Sequence, residues 1–350
     1  MKLNNLLAGL FARIKPAYHW LKRSVTPKSS VNGRIQVALV ALRERWKKTP
    51  KNDVSYTYIA KDYDGSRVRQ YLVHLPPGQT AKQPLPLVMV LHGCKQDNRD
   101  IEQISGFNKL ADHHGFLVVY PFVTSYRGFR NLNCWGWWFK REIHSGAGEV
   151  EDLWQIVEEI KSNYQVDEKR IHVTGLSSGA GMAVAMMVAH AGKIASGAAV
   201  AGVPYSESPT SVRHMFNLFP RFKSVGNIVS AMKAEMGGDK NTVPLQIIHS
   251  SDDETVPIQA ATNLRESWGQ CFGINTDSAF KVTNGSVGNT NWEHSFYQDE
   301  EGKSDIETLL LNGPGHGWYG GNAGKYSFTE APDTSEIIWK FFESHQLLSS

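Results

Sequence analysis

The stretch Arg170–His190, RIHVTGLSSGAGMAVAMMVAH, decides the fold. Its first residues, Arg170 to Thr174, read as a strand, and Ala180 to His190 reads as a helix of small residues. Between them stand Gly175, Leu176, Ser177, Ser178 and Gly179, a G-x-S-x-G string. Between a strand and a helix, this string predicts a sharp turn that holds the Ser177 hydroxyl out over a sheet, with glycines where two backbones pass closely. The other reading of Ser177, an ordinary helix N-cap, needs no chemistry.

Downstream, two further strand-like runs open into loops with the side chains such a serine needs. Val243 to His249 leads into Ser250, Ser251, Asp252 and Asp253, and Glu307 to Leu311 leads into Asn312, Gly313, Pro314, Gly315 and His316. A serine hydroxyl is a weak nucleophile at neutral pH and needs a base that titrates nearby, which histidine supplies. The imidazole in turn needs a carboxylate to fix its tautomer and stabilise its protonated form. Ser177, Asp253 and His316 fill these roles in the chain order of an α/β-hydrolase. Taken singly, Asp253 could be a solvated turn residue and His316 a loop histidine with a structural hydrogen bond.

Upstream, Leu85 to Leu91 (LPLVMVL) reads as a buried parallel strand ending in His92, Gly93 and Cys94. The backbone N–H groups of Cys94 and Ser178 are therefore the expected oxyanion donors, each worth roughly 3 kcal/mol. Strand and helix patterns alternate from Val54 onward. They predict an α/β-hydrolase fold over residues 54–350, with a mostly parallel central sheet covered by helices on both faces.

Six segments, LVMVLHGCKQD, FLVVYP, CWGWW, IHVTGLSSGAGMA, IIHSSDDETVP and GPGHGWYGG, resemble in order the motifs of one esterase family. It is typified by the catalytic domains of short-chain polyhydroxyalkanoate (PHB) depolymerases, with feruloyl and acetylxylan esterases as relatives. The likeness runs from about residue 55 to about residue 345. In that family an H-G-x-x-D string carries the triad acid. His249 and Asp253 keep the spacing, with Ser250 in place of glycine, which favours Asp253 over Asp252. Ser178 stands where the family has alanine, and Ala180 where it has glycine.

The resemblance implies a serine carboxylic ester hydrolase acting on hydroxyalkanoate oligomers or polymer, or similar short-acyl esters, through an acyl-enzyme. Feruloyl or acetylxylan esterase activity is the alternative, and a non-catalytic granule-surface protein on a hydrolase fold is the reading from another class. The family also has recurrent cysteines at the positions of Cys94 and Cys134, so these two either form a bridge or, with Cys271, remain reduced thiols. Trp135 and Trp137 in the CWGWW loop, and Trp318 and Tyr319 after the base, are the candidate substrate-binding aromatics. The glycines around Trp318 place it on a loop rather than in the core. Extracellular depolymerases of this kind carry a linker and a C-terminal polymer-binding domain, and the chain up to Ser350 shows neither, which counts against binding to a solid polymer. No C-x-x-C or H-E-x-x-H string is present, and neither a metal nor a cofactor is expected.

Residues 1–50 differ in kind, with eleven Lys or Arg against Glu44, a charge of +10 beside −7 for the rest of the chain. Leu3, Leu6, Leu7, Leu10, Phe11 and Ile14 recur at helical spacing, which predicts a basic amphipathic helix ended or kinked by Pro16. An anionic granule or membrane surface is one partner such a segment fits. Docking on a catalytic domain is the other, and no nucleic-acid partner is expected. Asn4, Asn5, Arg13 and Lys15 bracket too short an apolar run for a secretory signal. The expected location is therefore cytoplasmic or granule-associated, with extracellular as the alternative found in many family members.

Overall fold

Alternation within the apolar strands shows why this chain builds a three-layer structure. In β3 (Leu85–Leu91), Leu87, Met89 and Leu91 enter one core while Val88 and Val90 enter another. In β4 (Leu117–Pro121), Leu117 and Val119 face the first core and Val118 and Tyr120 the second. Strands apolar on both faces belong in the middle of a sheet that is covered twice. The computed structural model describes residues 52–78, 83–123, 132–213, 219–238, 242–298 and 304–347. The chain divides into compact units Met1–Lys48 and Thr49–Ser350, and the basic segment of residues 1–50 lies outside the described residues.

The ten-stranded sheet has the order β1-β2-β4-β3-β5-β6-β7-β10-β9-β8. Its middle six strands, β4, β3, β5 (Val166–Leu176), β6 (Ser196–Val200), β7 (Leu245–Ser250) and β10 (Ser304–Asn312), run parallel. Antiparallel strands β1 (Asp53–Tyr58) and β2 (Arg69–His74) close one edge. The hairpin of β8 (Lys281–Val287) and β9 (Thr290–Gln298) closes the other.

Helices α1 (Asn98–Ser105), α2 (Phe107–His114) and α7 (Thr334–Glu343) cover one face through Ile101, Phe107, Ala111, Ile338 and Phe342. Helices α3 (Gly148–Asn163), α4 (Ser178–Ala189), α5 (Val225–Met236) and α6 (Gln259–Phe272) cover the other through Leu153, Val184, Ile228 and Leu264. Strands β11 (Trp318–Tyr319) and β12 (Ser327–Phe328) form a small separate pair. Among the described residues no helix is long and apolar enough to cross a membrane.

The strand order sets where a ligand can bind. From β3 the chain passes to β4 on one side, then crosses back to β5 on the other. Such a reversal leaves a crevice at the carboxyl ends of the strands. Register aligns those ends, because Leu91 pairs with Gly175, Leu176 with Val200, Val200 with Ile248 and Ser250 with Leu311. The loops carrying Cys94, Ser177, Asp253 and His316 therefore leave the sheet at one edge.

Candidate active site

Ser177 is held by its backbone in a conformation few non-glycine residues adopt, φ 57° and ψ −116°. That costs on the order of 1–3 kcal/mol and persists only where the surroundings impose it. They do so through the Ser177 N–H, which donates to Val200 O at 2.9 Å, and through its carbonyl, which accepts from Gly181 N at 3.0 Å. A Cβ on Gly179 would stand 2.3 Å from Leu91 O, and one on Gly175 would stand 2.6 Å from the Gly179 carbonyl carbon, so the turn closes only with glycine at both places. The Ser177 side chain makes no capping bond to α4. The hydroxyl, part exposed at the sheet edge, is thus not an N-cap.

Asp253 and His316 come together directly: His316 Nδ1 donates to Asp253 Oδ2 at 2.6 Å. The other carboxylate oxygen, Oδ1, accepts from Thr255 N and Val256 N, both at 2.8 Å. Burial alone would raise this carboxyl. The hydrogen bond and charge of His316, the charge of His249 and the Val256 N–H outweigh it and hold Asp253 below the ordinary carboxylate range. An ionised carboxylate fixes the proton on Nδ1 and leaves Nε2 free to act as a base. Behind it, fully buried His249 donates from Nε2 to Val256 O at 2.7 Å and stands 3.8 Å from Asp253 Oδ2.

The neighbouring carboxylate has a different task. Exposed Asp252 accepts the Gly313 N–H at 2.6 Å through Oδ2. Ser250, which replaces a family glycine, donates its hydroxyl to Pro314 O and accepts from Asp252 N at 3.1 Å. These bonds, with Ser251 N to Leu311 O at 2.8 Å, lace the acid loop to the histidine loop.

The loop after β3 is equally constrained. Fully buried His92 donates from Nδ1 to Gly93 O at 2.9 Å and accepts at Nε2 from Val123 N at 3.2 Å. Burial pushes its pKa down to about 4, although the Gly93 carbonyl and the Asp97 charge act the other way, so the ring is neutral at pH 7. Gln96 takes the Gly93 N–H on Oε1 at 2.8 Å and donates from Nε2 to Lys325 O at 2.8 Å, which ties this loop to the chain beyond His316. A disulfide joins Cys94 to Cys134. Ser178 is the first residue of α4, so its N–H has no intrahelical acceptor, and the Cys94 N–H donates to no partner among the described residues.

The aromatic candidates separate into two groups. Trp135 is fully buried, donates from Nε1 to His92 O at 3.0 Å and lies under the Arg69 guanidinium at 5.7 Å, so it supports the loop rather than facing a substrate. The expectation that Trp318 sits on a loop rather than in the core is wrong, and the expectation that Tyr319 faces a substrate fails with it. Both are fully buried in the second core, with Trp318 edge-on to Phe107 and its Nε1 donating to Ser335 Oγ at 3.0 Å. The flanking glycine serves close approach: a Cβ on Gly317 would stand 2.6 Å from Tyr326 O, where β11 meets β12. Trp137, 3% exposed, lies beside Gly181 and packs with Val203, Val212, Val256 and Ala260. Part-exposed Trp138 and Phe222 border that cluster.

The family described as esterase PHB depolymerase matches residues 69–281. The chain belongs to that family. It is similar to poly(3-hydroxyalkanoate) depolymerase C of Paucimonas lemoignei, 31% identical over 253 residues, covering 71% of this chain and 58% of that protein's length. It is also similar to acetylxylan esterase A of Aspergillus oryzae, 26% identical over 271 residues, covering 72% of this chain and 80% of that one. Among solved structures, an acetyl xylan esterase from Aspergillus awamori superposes with a TM-score of 0.62 at 18% identity, covering 83% of this chain and 99% of that one, which shows a shared α/β-hydrolase fold.

Within this esterase family the site offers the parts of acyl transfer: a strained serine, a histidine on a buried carboxylate, and two backbone donors on adjoining loops. No group of three or more His, Cys, Asp or Glu among the described residues is placed to hold a metal ion. Sequence reasoning missed the supporting roles of Gln96 and Ser250. Gln96 left no periodic or chemical signal, but Ser250 was visible as a departure from the family string.

Proposed function

We propose that this esterase cleaves short hydroxyalkanoate esters through a covalent acyl-enzyme. The contact that carries the reading is His316 Nδ1 to Asp253 Oδ2, on loops that leave the sheet beside Ser177. Nε2 of His316 takes the Ser177 proton as Oγ attacks the ester carbonyl carbon. The tetrahedral oxyanion is held by the N–H groups of Cys94 and Ser178. The imidazolium then gives that proton to the leaving alkoxide, the C–O bond breaks, and Ser177 is left acylated. Water, deprotonated by the same imidazole, attacks the acyl carbon, and its proton passes to Ser177 Oγ as the acid departs.

Family membership and the depolymerase relative favour hydroxyalkanoates as the acyl class. The acetylxylan esterase relatives favour a second reading, deacetylation of a polysaccharide. Hydroxybutyrate oligomers, methyl ferulate, acetylated xylan and p-nitrophenyl acetate, assayed side by side, separate these. The expected result is a kcat/KM for the oligomers at least about tenfold above that for methyl ferulate or acetylated xylan. Faster release of acetate from xylan would assign the second reading, and no turnover of any ester would make the fold a non-catalytic scaffold.

The basic segment of residues 1–50 is proposed as an anchor to an anionic granule or membrane surface, from its charge of +10 and its apolar stripe. Removing residues 1–50 is expected to leave turnover of a small soluble ester within about twofold, because no triad or oxyanion residue lies there. Binding to anionic vesicles is expected to fall, and in the intact protein to weaken with salt. Equal binding by both forms at low salt would reject the anchor. The Cys94–Cys134 disulfide supports the exported location over the cytoplasmic one, since the cytosol keeps thiols reduced. Alkylation in fractionated cells tests this, and three free thiols would return the protein to the cytoplasm.

A further inference from the structure

Among the described arginines, part-buried Arg213 and exposed Arg221 are the two that pair with no carboxylate of the described residues. Arg67 pairs with Glu142 through two bonds of 2.8 and 2.9 Å, Arg69 with Asp152 at 2.7 Å, and Arg99 with Asp53 and Glu102. Arg170 pairs with Asp167 at 2.7 Å, and Arg265 reaches Glu266 at 3.8 Å. Part-buried Arg213 has no carboxylate partner among the described residues, and its Nε is shut off from solvent without an acceptor. Two acids stand close to it in sequence or beside its contact. Buried Glu207 spends Oε1 on the N–H groups of Ser208 and Lys223, and Glu254 is exposed. Neither pairs with Arg213.

Its backbone position is fixed beside the catalytic loop. Arg213 N donates to Thr255 O at 2.9 Å, and Thr255 N in turn donates to Asp253 Oδ1. Val212, the residue before it, packs with Trp137, Val203 and Val256, and Trp137 lies against Gly181 in the first turns of the helix that follows Ser177. Arg213 therefore stands where the apolar cluster meets the acid loop. A guanidinium that pairs with no carboxylate of the described residues keeps its planar donor fork for an external one.

We propose that Arg213 is a carboxylate subsite, and that the preferred ester carries a free carboxylate on the chain that lies against part-exposed Trp138 and Phe222 at the rim of the Trp137–Val256 cluster. An oligomer of a hydroxy acid ends in such a group. An acetylated sugar or an alkyl ferulate does not. The inference rests on the reading of Ser177, Asp253 and His316 as an ester-cleaving triad, and its test separates the two.

The probe is a hydroxybutyrate trimer, supplied as the free acid and as its terminal amide, which removes the charge and adds no cleavable ester. The wild-type enzyme is expected to favour the acid by about tenfold in kcat/KM, mostly through KM, and to lose that preference as salt is raised. In Arg213→Met the two trimers are expected to react at equal rates, with the amide within about twofold of its wild-type rate. Arg213→Lys should keep part of the preference, since a point charge attracts the carboxylate without the fork. An acid-to-amide ratio unchanged between wild type and Arg213→Met, or a wild-type ratio near one at low salt, overturns the subsite. Should Arg213→Met fail to fold, the salt dependence of the wild-type ratio decides alone. Failure of both trimers by wild-type enzyme that still turns over p-nitrophenyl acetate would overturn the hydroxyalkanoate reading and the subsite with it, and failure on every ester would overturn the hydrolase reading instead.

Discussion

Replacing Ser177 by alanine is expected to lower turnover of p-nitrophenyl acetate at least about a thousandfold while leaving the thermal midpoint within a few degrees of wild type. The two halves of that expectation have separate grounds. Turnover falls because no other hydroxyl replaces the acyl acceptor, and the remaining donors can only polarise a bound ester toward water. Stability is kept because the Ser177 side chain makes no cap bond to α4, so its loss leaves no unpaired helix N–H behind. The backbone strain at φ 57° is borne equally by alanine, whose Cβ meets the same carbonyl. Retained turnover would remove the acyl-enzyme from the mechanism. A collapse of stability would mean that the serine is a structural residue of the turn.

What the sequence disclosed, and what it hid, follows from which interactions are local. The strand Leu85–Leu91 is legible because both of its faces are buried, so every position is apolar. The turn at Ser177 is legible because the contacts of Gly175 and Gly179 exclude any larger residue. The exposed hairpin strand Lys281–Val287 went unread, since a strand at the sheet edge has no apolar face to keep. Helix Asn98–Ser105 had a local signal that was overlooked: Asp97 caps the Arg99 and Asp100 N–H groups, and the Asp100 carboxylate bonds back to the Asp97 N–H. Trp318 and Tyr319 were misplaced because glycine has two meanings, a mobile loop or a close approach of backbones. Only the pairing of Trp318–Tyr319 with Ser327–Phe328 tells them apart. Gln96 and Ser250 act across long sequence separations, on Lys325 and Pro314, and no pattern within a short window encodes such a contact.

Adjacent carboxylates at 252 and 253 give the sharpest test of the site, because the same substitution should have very unequal consequences one residue apart. Asp253→Asn is expected to cost about 10³–10⁴ in kcat/KM, with KM little changed. An asparagine there must still present its carbonyl oxygen to the Thr255 and Val256 N–H groups, which approach the Oδ1 position at 2.8 Å. Its amide nitrogen is then turned toward His316, 2.6 Å from the Oδ2 position, where two donors cannot face each other. The imidazole responds by moving its proton from Nδ1 to Nε2. That tautomer cannot accept the Ser177 proton, and the negative charge that would stabilise an imidazolium is gone. Asp252→Asn keeps an oxygen able to accept the Gly313 N–H, so the histidine loop stays tethered and the loss should remain below about tenfold. Both variants are measured on one soluble ester beside wild type. A larger loss at Asp252 would move the orienting carboxylate by one residue. Equal, small losses at both would mean that His316 is oriented without either carboxylate, and that the 2.6 Å contact is structural.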